Sequence, residues 1–152
     1  MKAVIISVLV TLYHIGFRII VGETVSKIDT GKEINWDSAL LREFKFEKNL
    51  YEILKVKQWK NLMITAKPYE FNIYNRTLIE ILRSMLIAEK THIICFFLSY
   101  LPLLLIIPFG APLAFILTSF LASLIDLACI IIQRYNIPRI IKLITLNKKT
   151  TM

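Results

Sequence analysis

The chain alternates between long apolar runs and polar stretches, and the runs set its architecture. Val4 to Val21 is apolar apart from Tyr13, His14 and Arg18. Ile93 to Ile107 is apolar and interrupted by Pro102, and Leu113 to Ile132 contains one ionisable residue, Asp126. A hydrocarbon core of about 30 Å is crossed by roughly 20 helical residues, so the three runs predict three membrane helices. Pro108-Phe-Gly110-Ala-Pro112 predicts a turn that joins the second and third as a helical hairpin. The first run has the apolar character of a signal peptide, yet Gly22-Glu23-Thr24 leads into polar sequence without a small-x-small cleavage site. It is read as a retained span.

Residues 23–90 are mixed in character, with twelve Lys or Arg and ten Asp or Glu. They also hold Trp36, Trp59 and several Phe and Tyr residues, which argues against a disordered linker. Asn72 to Ile87 has helical periodicity, with Ile73, Leu78, Ile81, Leu82 and Met85 on one apolar face. Beyond Pro138, Arg139 to Leu146 reads as a short amphipathic piece suited to the membrane interface. The expected fold is an all-α integral membrane protein of about three transmembrane helices with a cytoplasmic amphipathic helical region. It forms one membrane domain over 1–152: a first span at 1–22, a cytoplasmic or interfacial region at 23–92, a hairpin of two spans at 93–132 and a basic tail at 133–152.

Composition agrees with this pattern and narrows the partners. An apolar fraction of 56% exceeds the roughly 45–50% of soluble chains, and mean hydropathy is +0.61. The net charge of +8 is spread along the chain without a nucleic-acid recognition motif, so nucleic acid is set aside as a partner. Anionic lipid and membrane orientation account for the excess. The tail carries five Lys or Arg and no acid, whereas the hairpin tip carries no charge. The positive-inside rule therefore expects a multi-pass protein of the cell membrane with the centre and C-terminus cytoplasmic and the N-terminus outside. Cys95 and Cys129 stand alone in apolar segments, with neither a disulfide framework nor zinc spacing. No Gly-rich phosphate loop, metal-ligand cluster or Gly-x-Ser-x-Gly elbow is present; no metal and no cofactor is implied.

Candidate chemistry gathers where the spans meet the cytoplasm. Gln133, Arg134, Tyr135, Asn136 and Arg139 fall within seven residues directly after the last apolar run. Two guanidiniums, two amides and a phenol suit a phosphate, a carboxylate or a sugar hydroxyl at the interface. Glu89 and His92 precede the second span at a spacing of three, which places them on one helical face. A carboxylate beside an imidazole fixes its tautomer and raises its basicity, the requirement for a general base acting on a hydroxyl; an interfacial ion pair is the plainer reading. Trp59 and Lys60 belong to a cationic, indole-bearing stretch, either a headgroup platform or a solvated helix face. In the first span, His14 is expected to be a neutral, hydrogen-bonded residue that holds helices together, and Arg18 to snorkel toward the cytoplasmic end.

Five segments carry a family resemblance: Phe44-Lys-Phe46-Glu47-Lys48, Gln58-Trp59-Lys60, Asn72-Ile-Tyr74, Ala88-Glu89-x-x-His92, and Gln133-Arg134-Tyr135-Asn136-x-Pro138-Arg139. In order and spacing, over roughly residues 44–145, the chain resembles the glycosyl-4,4'-diaponeurosporenoate acyltransferase family. The resemblance implies transfer of a fatty acyl group to a sugar hydroxyl of a membrane-dissolved glycolipid. On that reading His92 is the base and Glu89 its orienter, with Arg134 or Gln133 as donors to developing negative charge. Tyr135 and Asn136 position a polar headgroup, and Arg139, Trp59 and Lys60 complete the substrate-binding set. The substrate is a membrane lipid or glycolipid, with the acyl donor open, as is an oligomer or a partner subunit. The alternative is a non-catalytic lipid-binding protein or a small subunit of a membrane complex, in which the same cluster holds a lipid phosphate.

Overall fold

The computed structural model describes residues 2–29, 31–38, 41–63 and 67–150, except for the side chains of Lys148 and Thr150. The expected chain ends, Met1 and Met152, lie outside the described residues. Among the described residues, six α-helices run in the order α1 (Lys2–Asp29), α2 (Lys45–Ile53), α3 (Val56–Trp59), α4 (Leu78–Leu98), α5 (Ile106–Phe109) and α6 (Pro112–Thr150). No strand occurs among the described residues. Among the described residues, three segments are long and apolar enough to cross a membrane: Lys2–Asp29, Leu78–Phe109 and Pro112–Asn147. The all-helical, three-span architecture read from the sequence is what the structure shows.

Element boundaries differ from the expected ones for local reasons. α1 continues past Val21 for two turns, because Val25 is still buried and Asp29 pairs with Lys90. Gly31, at φ 85°, supplies the left-handed residue that follows the helix. Helix α4 starts at Leu78, where Thr77 and Glu80 form a reciprocal capping box: Thr77 N–H donates to Glu80 Oε2 at 2.8 Å and Glu80 N–H to Thr77 Oγ1 at 3.2 Å. Residues 72–76 are a turn in which Asn72 Oδ1 accepts from the Tyr74 N–H. Ile73, expected on the apolar face, is consequently exposed. Pro102 turns the chain into a short 3-10 stretch, Leu101–Leu105. Gly110 and Ala111, both at positive φ, form the hairpin tip, and Pro112 opens α6 at the position where a missing N–H is harmless.

The chain divides into two compact units, one of residues 1–30 and 90–128, the other of residues 31–89 and 129–152. In the first unit α1 packs on the neighbouring stretches of α4 and α6. Ile6 and Val10 meet Phe115 in a small core, and Tyr13 donates to the Leu98 carbonyl at 3.3 Å. The buried residues of α6 here are Phe115, Ser119, Ala122, Ser123 and Asp126, which recur every three or four residues along one face apart from the adjacent pair Ala122 and Ser123. The larger apolar residues, among them Leu113, Ile116, Phe120, Leu121 and Leu124, point outward. Phe115 apart, polar and small side chains of this stretch lie inside and large apolar ones outside, the arrangement of a helix bundle whose solvent is lipid.

The second unit has a conventional apolar core of Leu41, Ile81, Leu82, Met85, Ile137 and Ile144, with Ile140 and Ile141 packed against it. The piece Arg139 to Leu146, expected to lie in the interface, is the continuation of α6 through Pro138, and its isoleucines are drawn onto α4 by this core. Helices α2 and α3 pack through Tyr51 and Val56 against Tyr135 of α6, with Trp59 and Ile131 at the edge.

Candidate functional site

Each unit holds one polar cluster. In the first, Asp126 is fully buried and accepts from three side chains. Arg18 grips it with two nitrogens, the Nε at 3.3 Å from Oδ1 and a terminal nitrogen on Oδ2. His92 Nδ1 lies 2.9 Å from Oδ1, and Ser99 Oγ is 3.4 Å from Oδ2. Arg18 also donates to Ser99 Oγ and to the Ala122 carbonyl, both at 3.0 Å. A carboxylate accepts only, so His92 carries a proton on Nδ1. His92 is partly exposed, unlike the carboxylate behind it.

Two expectations for the first span are thereby corrected. Arg18 does not snorkel; Asp126 stands opposite it, and an opposite charge in an apolar interior outweighs the distance to water. His14 is buried, 5% exposed, but forms no hydrogen bond with either ring nitrogen among the described residues. Its ring instead meets Tyr13 and Phe17 edge-on, at centroid distances of 5.4 and 5.9 Å.

The cluster of the second unit is built around Arg134. Its fork is bidentate to Glu47, with Nε 2.8 Å from Oε1 and a terminal nitrogen 2.9 Å from Oε2. The same terminal nitrogen donates to the Arg42 carbonyl at 3.0 Å, and Glu89 Oε1 approaches the Nε at 3.7 Å. Glu47 also accepts from the Phe44 N–H at 2.9 Å and so closes the first turn of α2. The structure thus brings Glu89 to Arg134, and gives His92 a different carboxylate, that of Asp126.

The remaining sequence-identified residues surround Tyr135. Its buried ring meets Tyr51 edge-on at 5.3 Å. The Arg139 guanidinium lies 3.4 Å over it and also donates to the Tyr135 carbonyl. Lys60 Nζ is 5.0 Å from the ring centroid and donates to Asn136 Oδ1 at 3.2 Å. Trp59 Nε1 donates to the Leu54 carbonyl at 2.8 Å, so the indole is pinned to its own turn. Gln133 is half-buried on α6 one residue before the ion pair. Burial, reinforced by the nearby Glu47 charge, pushes the Tyr51 phenol up to about 12, which keeps it a neutral hydroxyl through the physiological range. Among the described residues, no group of three or more His, Cys, Asp or Glu is placed to hold a metal ion.

Asp126, Arg18 and Ser99 were not selected from the sequence as site residues. The available signal was the pair of opposite charges: Arg18 is the lone cation between Val4 and Val21, and Asp126 the lone acid between Leu113 and Ile132. Such residues inside a membrane seek one another.

The fold and these clusters define a class: a small multi-pass helical membrane protein with polar groups buried in its spanning helices. Residues 37–146 match the glycosyl-4,4'-diaponeurosporenoate acyltransferase family, and the chain belongs to that family. It is thus a member of a family of membrane acyltransferases named for a glycosylated carotenoid acid. The chain matches none of the curated proteins and none of the solved structures.

Proposed function

We propose that this protein transfers a fatty acyl group from an activated donor to a hydroxyl of a membrane lipid or glycolipid at the cytoplasmic interface, with His92 as general base. The observation that carries the reading is the 2.9 Å contact between His92 Nδ1 and the buried carboxylate of Asp126. Asp126 holds the Nδ1 proton, which leaves Nε2 to accept the proton of the attacking hydroxyl. The hydroxyl oxygen adds to the acyl carbonyl, the tetrahedral intermediate collapses, and the imidazolium returns its proton to the leaving thiolate or alkoxide. Asp126 stabilises the transient imidazolium, and Arg18 pairs with Asp126 from the other side.

In this reading Glu89 supports Arg134 rather than turning His92, because its carboxylate lies on the Arg134 guanidinium. Arg134, occupied by Glu47, holds the α2 region in place. Tyr135, Asn136, Trp59 and Lys60 present the polar surface for a substrate headgroup, and Gln133 and Arg139 complete it.

His92→Ala is expected to lower acyl transfer on the order of 10²-fold or more while the protein remains folded and inserted; Glu89→Gln is expected to cost less. Lipid mass spectrometry of cells with and without the protein identifies the acylated product, and its yield reads out each variant at matched expression. A fully active His92→Ala protein overturns the assignment and leaves the lipid-binding alternative.

The orientation has its own test. The five basic residues of the tail and the uncharged hairpin tip support a cytoplasmic C-terminus and a cytoplasmic 23–92 region. A reporter fused after Met152 is expected to be active only on the cytoplasmic side. Activity on the outer side reverses the topology and with it the interface at which the reaction is placed.

A further inference from the structure

The second unit contains an open groove of about 450 Å³ bounded by α2, α3 and α6. Its shape comes from one backbone feature. Lys55 adopts the left-handed conformation, φ 51°, and this reverses the chain between α2 and α3. The rings of Tyr51 and Tyr135 form a wall, and the Arg139 guanidinium is fixed against that wall by its stacking on Tyr135. Lys48, Lys55 and Lys57 line the rest, with Glu43 and Glu52 as the acids. Among the described residues, none of the four cations is ion-paired with either acid. Unpaired cations around a concave surface attract an anion, and the volume lies in the usual range of roughly 300–1,000 Å³ for a small-molecule site. One carboxylate would engage a fraction of these donors. A phosphate ester, with up to two charges and several acceptor oxygens, matches a rigid guanidinium beside several mobile ammoniums.

We infer that this groove binds the phosphate ester carried by the acyl donor, either the phosphates of a soluble coenzyme A thioester or the phosphodiester of a phospholipid. The inference rests on the acyl-transfer reading for the identity of the donor. The groove holds the part of the donor that does not react: the acyl carbonyl leaves its sulfur or oxygen for the acceptor oxygen, and the leaving atom takes up the acceptor's proton. Activated acyl groups travel on such phosphate-bearing carriers, so the site supplies donor selectivity from binding energy remote from the reacting carbon.

The test is equilibrium dialysis of the full-length protein in maltoside micelles, which carry no phosphate. One arm uses labelled coenzyme A and the other a soluble short-chain phosphatidylglycerol. At least one probe is expected to bind, more weakly at high salt, since exposed charges are screened beyond about 10 Å at 0.1 M. Lys48→Glu with Lys57→Glu, both at exposed positions, is expected to weaken binding about tenfold or more, whereas Glu52→Gln is expected to tighten it. Binding of coenzyme A identifies a soluble donor; binding of the lipid alone identifies a phospholipid donor. Failure of both probes to bind, or binding indifferent to these charge changes, overturns the inference. The two readings separate cleanly: charge-sensitive binding together with a fully active His92→Ala protein upholds the groove and removes the base.

Discussion

Asp126→Ala is expected to destabilise the first unit by about 3 kcal/mol or more, as breaking a buried ion pair from one side does, and to abolish acyl transfer with it. The residue is fully buried and satisfies two nitrogens of Arg18, the His92 ring and Ser99 at once. Its removal strands a guanidinium among apolar helices. Arg18 is itself partly exposed, which places the cost toward the lower end of the usual range, since the freed cation reaches some relief by moving outward. Arg18→Ala strands the carboxylate instead, and that group has no exposed surface to turn to. The informative variant is the double replacement Arg18→Met with Asp126→Leu. It removes both charges and is expected to recover most of the thermal stability, because apolar residues of similar size substitute well for a buried pair. It is not expected to recover transfer, because His92 has lost the carboxylate that sets its tautomer. Thermal unfolding in micelles and product yield, measured on the same preparations, separate the two effects. An Asp126→Ala protein as stable as the parent shows that the pair does not hold these helices together.

Glu47→Ala is expected to have a comparable effect on the second unit, about 3–5 kcal/mol, through a different route. Both Glu47 and Arg134 are almost wholly buried, and the bidentate contacts at 2.8 and 2.9 Å leave the guanidinium fork engaged. Without Glu47, Arg134 retains Glu89 at 3.7 Å and the Arg42 carbonyl, and α2 loses the carboxylate that accepts from the Phe44 N–H. Arg134→Lys is expected to cost less than Glu47→Ala. An ammonium keeps the charge but cannot span two oxygens and a carbonyl in one plane. The expected signature is local: proteolysis within residues 41–63 accelerates before the rest of the chain melts. Equal proteolytic resistance of Glu47→Ala and the parent shows that the α2 region is held by its Tyr51 and Val56 packing instead.

Much of the fold was legible because it follows from short-range rules. Length and hydropathy of three runs determined three spanning helices, and Pro108 to Pro112 determined the hairpin between two of them. Thr77 and Glu80 carry the signature of a helix start, a hydroxyl three residues before a carboxylate, which locates the beginning of α4 more sharply than the apolar periodicity of 72–87 does. The cluster from Gln133 to Arg139 was visible as a density of polar side chains at the end of an apolar run. Residue types alone therefore determined where polar chemistry gathers and that a membrane is its setting.

Tertiary structure decided which groups meet, and in three places it gave a residue a partner that the sequence does not indicate. Glu89 and His92 are three apart, but a helix face does not specify what lies across from it; Glu89 meets Arg134, whereas His92 meets Asp126. Arg134 had the chemistry of a ligand-binding fork, yet Glu47, 87 residues earlier, takes both of its arms. Arg18 and Asp126 are 108 residues apart and each looks like an isolated defect in an apolar run. The physical reason is the same throughout. Local rules fix backbone conformation because hydrogen bonds and caps form between near neighbours. The pairing of charges depends instead on which helix faces turn inward, and in a lipid-facing bundle hydrophobicity does not mark those faces. On the stretch of α6 in the first unit the buried positions include Ser119, Ser123 and Asp126 while Leu113, Ile116, Leu121 and Leu124 face outward, so the inward side there is set by packing and charge neutralisation between distant segments.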